Sequence, residues 1–432
     1  MAETTPPSPT PSLQPQTAEP KHVRAAERTV IGTAARGDQS GDSAIRPFEF
    51  HASDEELADL KRRVLATRWP GREIVNDDSQ GVQLATIQKL ADYWANQYDW
   101  RKVEARLNGL PNFVTNIDGL DIHFIHVKSK HENALPIIVT HGWPGSVIEQ
   151  LKIIEPLTDP TAHGGKADDA FNVVIPSLPG YGFSGKPAEL GWEPVRIAKA
   201  WTTLMGRLGY DKFVASGGDW GDPVTEQLAV NHSDRVRAIH LNMPSAVPPE
   251  IFGAINGGPK PSGLSPEESQ ALDQLIFFFG KGLGYANEMR LRPQTLYALE
   301  DSPIGLAAWI LDHDKDSYRL IARVFDGEEE GLTKDDILDN ITLYWLMETA
   351  VSSARLYWEN RLPFFQIQGV RIPVVVSSNP TELYQVPESW AKAAFPQLSH
   401  YRRNPKGGHF FAWEQPDLWI ADVRDGFRSL RS

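Results

Sequence analysis

Phe213-Val214-Ala215-Ser216-Gly217-Gly218-Asp219-Trp220-Gly221-Asp222-Pro223 is the stretch from which the fold can be read. Phe213 to Ala215 is a short apolar run, an aspartate follows paired glycines, and a helical segment opens near Pro223. Strand, tight turn and helix in immediate succession have the form of a nucleophile elbow, a strained turn that lifts one side chain off the end of a sheet. The flanking glycines permit a backbone approach that a Cβ would block. Most such turns carry serine, and this one carries Asp219. A serine alkoxide attacks carbonyl carbon. A carboxylate is already ionised at neutral pH and can displace a leaving group from saturated carbon, giving an alkyl ester that water must then cleave. Taken alone, an aspartate in a glycine-rich loop is explained equally well as turn chemistry.

Outward from the elbow, short apolar runs alternate with helical segments: Leu135 to Thr140, Phe171 to Ile175, Phe213 to Ala215, Arg237 to Leu241 and Ile372 to Val376. Runs without polar alternation, separated by helices, predict a parallel sheet covered on both faces. The strand runs stop between Pro244 and about Gln366, where Glu267 to Lys281 and Thr333 to Asn360 read as helical. An insertion there would sit over the C-terminal edge of the sheet as a lid. Before the sheet, a Ser53–Glu56 capping box opens a helix with Leu57, Leu60 and Val64 on one face, ended by Pro70. A second helix is expected over about Gln83 to Gln97, then a hairpin, Phe113 to Val127, turning at Asp118-Gly119. The division that follows is 1–45 as a disordered tail, 46–134 as an N-terminal extension, 135–244 and 367–432 as the two parts of an α/β core, and 245–366 as a helical cap.

Composition narrows the function. The first twenty residues hold six prolines, and no aromatic residue precedes Phe48, too little apolar surface to offset the entropy of ordering. The formal net charge of −13 argues against a nucleic-acid surface, which needs clustered Lys and Arg. With no cysteine, disulfides and thiolate metal sites are excluded. No stretch approaches the roughly 18 to 20 apolar residues of a membrane helix, and no secretory signal is recognisable. A cytoplasmic protein is expected, and a homodimer stays open.

Three further segments complete a chemistry. His141-Gly142-Trp143-Pro144-Gly145-Ser146 ends the strand Leu135 to Thr140. Ester hydrolysis passes through an oxyanion that needs fixed N–H donors, and the backbone N–H groups of Trp143 and Trp220 are candidates. Pro144 cannot donate, and a cis bond before it is one way to restrict the loop. Gly407-Gly408-His409-Phe410 offers a base to activate water, and Glu382, just beyond the strand Ile372 to Val376, offers a carboxylate to orient it. Asp417 and Asp422 compete for that second role but fall on the final helix.

From about Pro47 to its end the chain resembles the microsomal-type epoxide hydrolases of the α/β-hydrolase superfamily. The likeness rests on Tyr98-Asp99-Trp100-Arg101, Ile117-Asp118-Gly119-Leu120, the His141 to Ser146 and Gly217 to Gly221 segments, Leu283-Gly284-Tyr285, the run Asp301 to Trp309, Arg355 to Asn360, and Gly407 to Phe410. The resemblance implies an α/β-hydrolase fold with a helical cap between core strands and an N-terminal meander. It also implies that Tyr285 and Tyr357 hydrogen-bond the epoxide oxygen as the ring opens. A phenol donates well and, with a pKa near 10, stays protonated at neutral pH. Where the family usually has Phe-Pro before the acid, this chain has Asn379-Pro380.

The mechanism so implied has Asp219 as nucleophile, His409 as base, Glu382 as orienting acid and Tyr285 and Tyr357 as donors, acts on a small apolar epoxide and requires no metal or organic cofactor. Two other readings use the same residues. A haloalkane dehalogenase also needs an aspartate nucleophile but has no use for two lid phenols. A non-catalytic small-molecule receptor on the same fold would not need nucleophile, base and acid together.

Overall fold

Where the apolar runs fall decides the sheet. Nine strands join in one sheet of the computed structural model, which describes residues 43–431: β1 (Arg46–Pro47), β2 (Asn112–Ile117), β3 (Leu120–Val127), β4 (Leu135–Thr140), β5 (Phe171–Pro176), β6 (Phe213–Gly217), β7 (Val236–Leu241), β8 (Val374–Ser378) and β9 (Leu398–Arg403). The order is β1-β2-β3-β5-β4-β6-β7-β8-β9. Of the expected tail, residues 1–42 lie outside the described residues.

From β5 through β4 to β9 every neighbouring pair is parallel. The five expected runs are thus parallel to one another. β1, β2, β3 and β5 pair antiparallel, so the expected N-terminal hairpin extends the same sheet by its backbone hydrogen bonds. At its tip Asp118 (φ 52°) and Gly119 (φ 84°) are both left-handed, the geometry an Asp-Gly two-residue turn favours.

The chain steps from β4 to β5 towards one edge and from β5 onward towards the other. Right-handed crossovers then put their helices on opposite faces. The helices Pro194–Arg207 and Gly221–Asn231 pack together, as do Leu151–Thr158 and Pro416–Gly426. The reversal beside β4 opens a crevice at the C-terminal strand ends, where open α/β sheets hold their ligands.

Several boundaries differ from the sequence reading. The first helix, Asp54–Leu65, has the Ser53–Glu56 capping box but ends at Leu65, five residues before Pro70. There the Thr67 hydroxyl satisfies the Val64 carbonyl at 2.7 Å, leaving Pro70 in an exposed connection. β8 starts at Val374 rather than Ile372, because Pro373 has no N–H for the ladder. The helical stretch 333–360 is two helices, Lys334–Leu346 and Ala350–Glu359, broken by Glu348 at φ 50°. The segment 267–281 is the helix Pro266–Phe277 followed by one π-helical turn.

Between β7 and β8 the described chain is helical, from Pro249–Ile255 to Ala350–Glu359. The N-terminal helices are bonded to these lid helices. Trp94 Nε1 donates to Thr342 Oγ1 (3.0 Å), Tyr93 Oη to Asp335 (2.8 Å) and Tyr98 Oη to Asp339 (2.8 Å), and the Gln83 N–H donates to Tyr318 Oη (2.9 Å). In Tyr98-Asp99-Trp100-Arg101, Tyr98 thus grips the lid, while Trp100 and Arg101 both donate to the buried Glu104. Among the described residues no helix is long and apolar enough to cross a membrane.

Two glycines let the elbow exist. A Cβ on Gly217 would stand 2.1 Å from the Gly221 carbonyl oxygen, and one on Gly221 would stand 2.0 Å from that of Thr140 in β4. Both obstacles are backbone and cannot rotate away. Gly221→Ala should therefore lose at least about 3 kcal/mol of stability, at the upper end for overpacking. Urea unfolding of the variant checks this, and a stability within about 1 kcal/mol of the parent would contradict the packing account.

Candidate active site

Asp219 is built to present its carboxylate. Its φ of 52° is left-handed, a strained geometry for a residue with a side chain, of the kind that surrounding structure enforces at functional positions. The turn lies between β6 and the N-terminus of the helix Gly221–Asn231, whose dipole favours negative charge. From the end of β4, next in the sheet, the Trp143 N–H donates to Asp219 Oδ1 at 2.7 Å. Gly142 makes the approach feasible, since a Cβ there would stand 2.2 Å from that oxygen. The Trp143–Pro144 bond is cis. His141 pins the loop from behind: its Nε2 accepts the Leu178 N–H (3.1 Å), so Nδ1 carries the hydrogen and donates to the Gly142 carbonyl (3.0 Å). Burial keeps this imidazole neutral, with a pKa of about 4.

His409 comes from the loop after β9, and Glu382 from the segment after β8. His409 Nδ1 meets Glu382 Oε1 at 2.6 Å, and its Nε2 lies 3.5 Å from Asp219 Oδ2. Asn242, just past β7, donates to Glu382 Oε2 at 2.8 Å, and the Leu383 N–H donates to Oε1 at 2.9 Å. Asn379, in the place of the usual phenylalanine, donates to the Gly408 carbonyl (3.4 Å) and accepts from Asn404 (3.1 Å), tying β8 to the loop that carries His409. Of the competing acids, Asp422 is buried on the last helix, where it binds Ser377, Asn404 and Arg402, and Asp417 lies on that same helix.

These contacts set the charges. Burial alone would raise the Asp219 pKa. His313 and then His409 more than reverse this and hold the carboxyl well below its ordinary range. For His409 burial opposes protonation, but the charge on Glu382, with help from Asp219, pushes the imidazole well above its usual value. Other carboxyls nearby are not rivals. Burial raises Glu149 to about 8, and Glu226 and Glu414 to about 7. Glu226 accepts from the Ser245 N–H (2.8 Å) and Glu414 from the Phe410 N–H (3.0 Å), so both hold loops in place.

Tyr285 and Tyr357 stand above this centre in the lid, buried and with ring planes 84° apart. Tyr285 stacks on the Trp143 indole (centroids 4.8 Å) and Tyr357 meets the Trp220 indole edge-on (4.7 Å). Burial raises both phenols well above 10, so they are donors. The pocket leading to them and Asp219 is lined by apolar groups, among them Phe278, Leu283, Leu362, Phe364 and Phe365. Of the run Phe277-Phe278-Phe279, only Phe278 lines it. Phe277 is exposed under Lys315, and Phe279 packs on Phe252 and Phe365.

All seven sequence candidates therefore gather around the Asp219 carboxylate, by direct contact or through one neighbour. The sequence reading missed two residues. His313, buried in the lid, has Nε2 3.8 Å from Asp219 Oδ2 and Nδ1 2.9 Å from Asp314. Their signal, His-Asp following a helix, resembles an ordinary N-cap, which Asp314 also is for the helix Lys315–Asp326. Asp219, His313 and His409 offer one oxygen and two ring nitrogens within 4.8 Å of one another, and among the described residues this is the one such cluster with the geometry to hold a metal ion.

Sheet order, elbow and inserted lid define an α/β-hydrolase fold, and residues 136–416 match the family of that name. Residues 45–150 match the family described as epoxide hydrolase N terminus. Over 392 residues, 90% of this chain and 86% of the relative, the sequence is 51% identical to a Stigmatella aurantiaca protein named among the epoxide hydrolases. It is 36% identical to epoxide hydrolase 1 of Oryctolagus cuniculus, with 88% of each chain covered. The crystal structure of the juvenile hormone epoxide hydrolase of Bombyx mori superposes with a TM-score of 0.78 at 30% identity, covering 91% of this chain and 97% of the other. The solved structure of the Aspergillus niger epoxide hydrolase gives 0.76 at 31%, covering 90% and 97%. The chain belongs to the epoxide hydrolase family and is an enzyme of that class.

The electrostatics of the pair yield a direct check. Glu382→Gln removes the charge that most favours protonated His409, so the His409 pKa should fall by roughly 1 to 3 units. An NMR titration of the imidazole nitrogens reads this, and an unmoved His409 would refute the assigned cause.

Proposed function

We propose that this protein hydrolyses an apolar epoxide to a vicinal diol through a covalent ester on Asp219. The observation that carries the reading is the division of labour between the two Asp219 oxygens. Oδ1 is occupied by the Trp143 N–H, while Oδ2 faces His409 beneath the two phenols. In the first step Oδ2 attacks an epoxide carbon, the C–O bond of the ring breaks, and Tyr285 and Tyr357 donate to the departing oxygen. Esterification leaves Oδ1 as the carbonyl oxygen, already against an N–H donor. In the second step His409, oriented by Glu382, takes a proton from water, whose oxygen adds to Cγ of Asp219. The oxyanion that develops on Oδ1 is held by the N–H groups of Trp143 and Trp220. Collapse releases the diol with Oδ2. The apolar lining favours a substrate whose bulk is hydrocarbon.

Styrene oxide and 1-bromobutane, assayed for diol and bromide, discriminate the readings. Diol from the epoxide with no bromide is expected, whereas bromide without diol would identify a dehalogenase. His409→Gln should leave a mass adduct on the peptide bearing Asp219 after exposure to the epoxide, and Asp219→Asn should not. An inactive His409→Gln enzyme that never carries the adduct contradicts the role given to His409.

pH separates the two steps. Asp219 is held ionised, so ester formation should be level between about pH 5 and 9. Hydrolysis needs neutral His409. The ester removes the Asp219 charge, which lowers the imidazole pKa, so hydrolysis should rise with pH and then level off. Rapid-mixing measurements of the two rates check both trends, and ester hydrolysis that falls with rising pH would oppose the assignment.

A further inference from the structure

The Glu382–His409 arrangement has a counterpart beside it, facing the same Asp219 oxygen. His313 is 1% exposed, its Nδ1 is held by Asp314 Oδ2 at 2.9 Å, and its Nε2 faces Asp219 Oδ2 at 3.8 Å, against 3.5 Å for His409. The two imidazoles lie against each other with centroids 4.2 Å apart. Asp314 is itself fixed, because its Oδ1 caps a helix by accepting the N–H groups of Asp316 (3.0 Å) and Ser317 (2.8 Å). Neither Nε2 has a hydrogen-bond partner within the protein. A histidine kept for packing would have its buried nitrogens satisfied. This one is oriented at Nδ1 and left open at the nitrogen that faces the reacting oxygen, the pattern of a working base.

The reaction has a task for it. This inference rests on the ester mechanism proposed above. Both hydroxyl hydrogens that distinguish the diol from the epoxide come from one water. In ring opening a phenol gives its proton to the alkoxide oxygen and is left as phenolate. In hydrolysis the first proton of water passes to His409 as the oxygen bonds to Cγ. It then passes to Oδ2 as the Cγ–Oδ2 bond breaks and the diol departs. The second proton remains on the new oxygen, so that Asp219 is regenerated as a carboxylic acid and the phenol is still one proton short. A carrier must connect the two. His313 lies beside both residues: its Nε2 faces the Asp219 carboxyl at 3.8 Å, and its ring packs against that of Tyr285 with centroids 5.1 Å apart.

We infer that His313 is a second catalytic base, which takes the remaining proton from the regenerated Asp219 carboxyl and returns it to the phenolate of Tyr285. Asp314 is the positioning residue that presents its Nε2. His409 and His313 thereby divide the two protons of one water.

The test is rapid quench of the full-length enzyme with excess styrene oxide, following diol and the ester on the Asp219 peptide through the first and later turnovers. In His313→Gln the ester should form and decay within about threefold of the parent in the first turnover, while later turnovers slow roughly tenfold or more, so that a burst of one diol per enzyme precedes a slow steady state. Asp314→Asn should show the same burst with a smaller slowing, and serves alone if the first variant does not fold. Steady-state turnover at the parent rate in both variants overturns the inference, and so does a first turnover slowed as much as the later ones, the mark of a structural role. Absence of any ester on Asp219 in the parent enzyme and in His409→Gln is a different failure, because it removes the covalent reading and this one with it.

Discussion

Keeping a carboxylate ionised where water is largely excluded is the constraint from which the rest of the site follows. The Asp219 side chain is 12% exposed, and burial by itself would neutralise it. Its charge persists because a backbone N–H, a helix N-terminus and two imidazoles are held against it. Each of these needs its own support. The N–H needs Gly142 and the pinned His141. The imidazoles need Glu382 and Asp314, and Glu382 in turn needs Asn242. The anchors come from the ends of β4, β6, β7 and β8, the loop after β9 and the lid, so one charge draws on almost the whole parallel part of the sheet.

The same constraint accounts for the carboxyls around the site. Glu149, Glu226 and Glu414 are buried, and burial raises each of them. Were they anionic, they would oppose the charge on Asp219. Burial shifts Glu226 and Glu414 towards the neutral form, and both accept from backbone N–H donors, so they position loops while adding less to the negative potential than free carboxylates would.

How far the sequence foretold the molecule depended on how local the signals are. Paired glycines, an aspartate and the apolar runs are local, and the fold class followed from them. β9 was missed because Leu398-Ser399-His400-Tyr401-Arg402-Arg403 lies on a half-exposed edge and carries no apolar run. The joining of the N-terminal hairpin to the main sheet was missed because pairing between β3 and β5 links residues about fifty apart. Met347-Glu348-Thr349 breaks a helix without containing glycine or proline, so nothing in its composition marks the break. Tyr285 and Tyr357 came from family likeness, since a phenol in a lid helix has no pattern of its own. His313 had neither motif nor spacing. Only the packing of the lid over the elbow turns a helix-capping His-Asp pair towards Asp219.

The hydrogen bonds from Trp94, Tyr93, Tyr98 and Gln83 to the lid carry a kinetic meaning. Lifting the lid as a rigid flap would break all of them together at about 1 kcal/mol or more each, besides exposing the apolar contacts between the layers. A riveted roof does not swing. Traffic to a chamber built this way passes between side chains, whose rotations take picoseconds to nanoseconds where exposed, and not through a hinge that opens in microseconds to milliseconds. The N-terminal unit is thus a chassis: its described residues lie outside the lining of the cavity at Asp219, and their hydrogen bonds hold the lid in place over it.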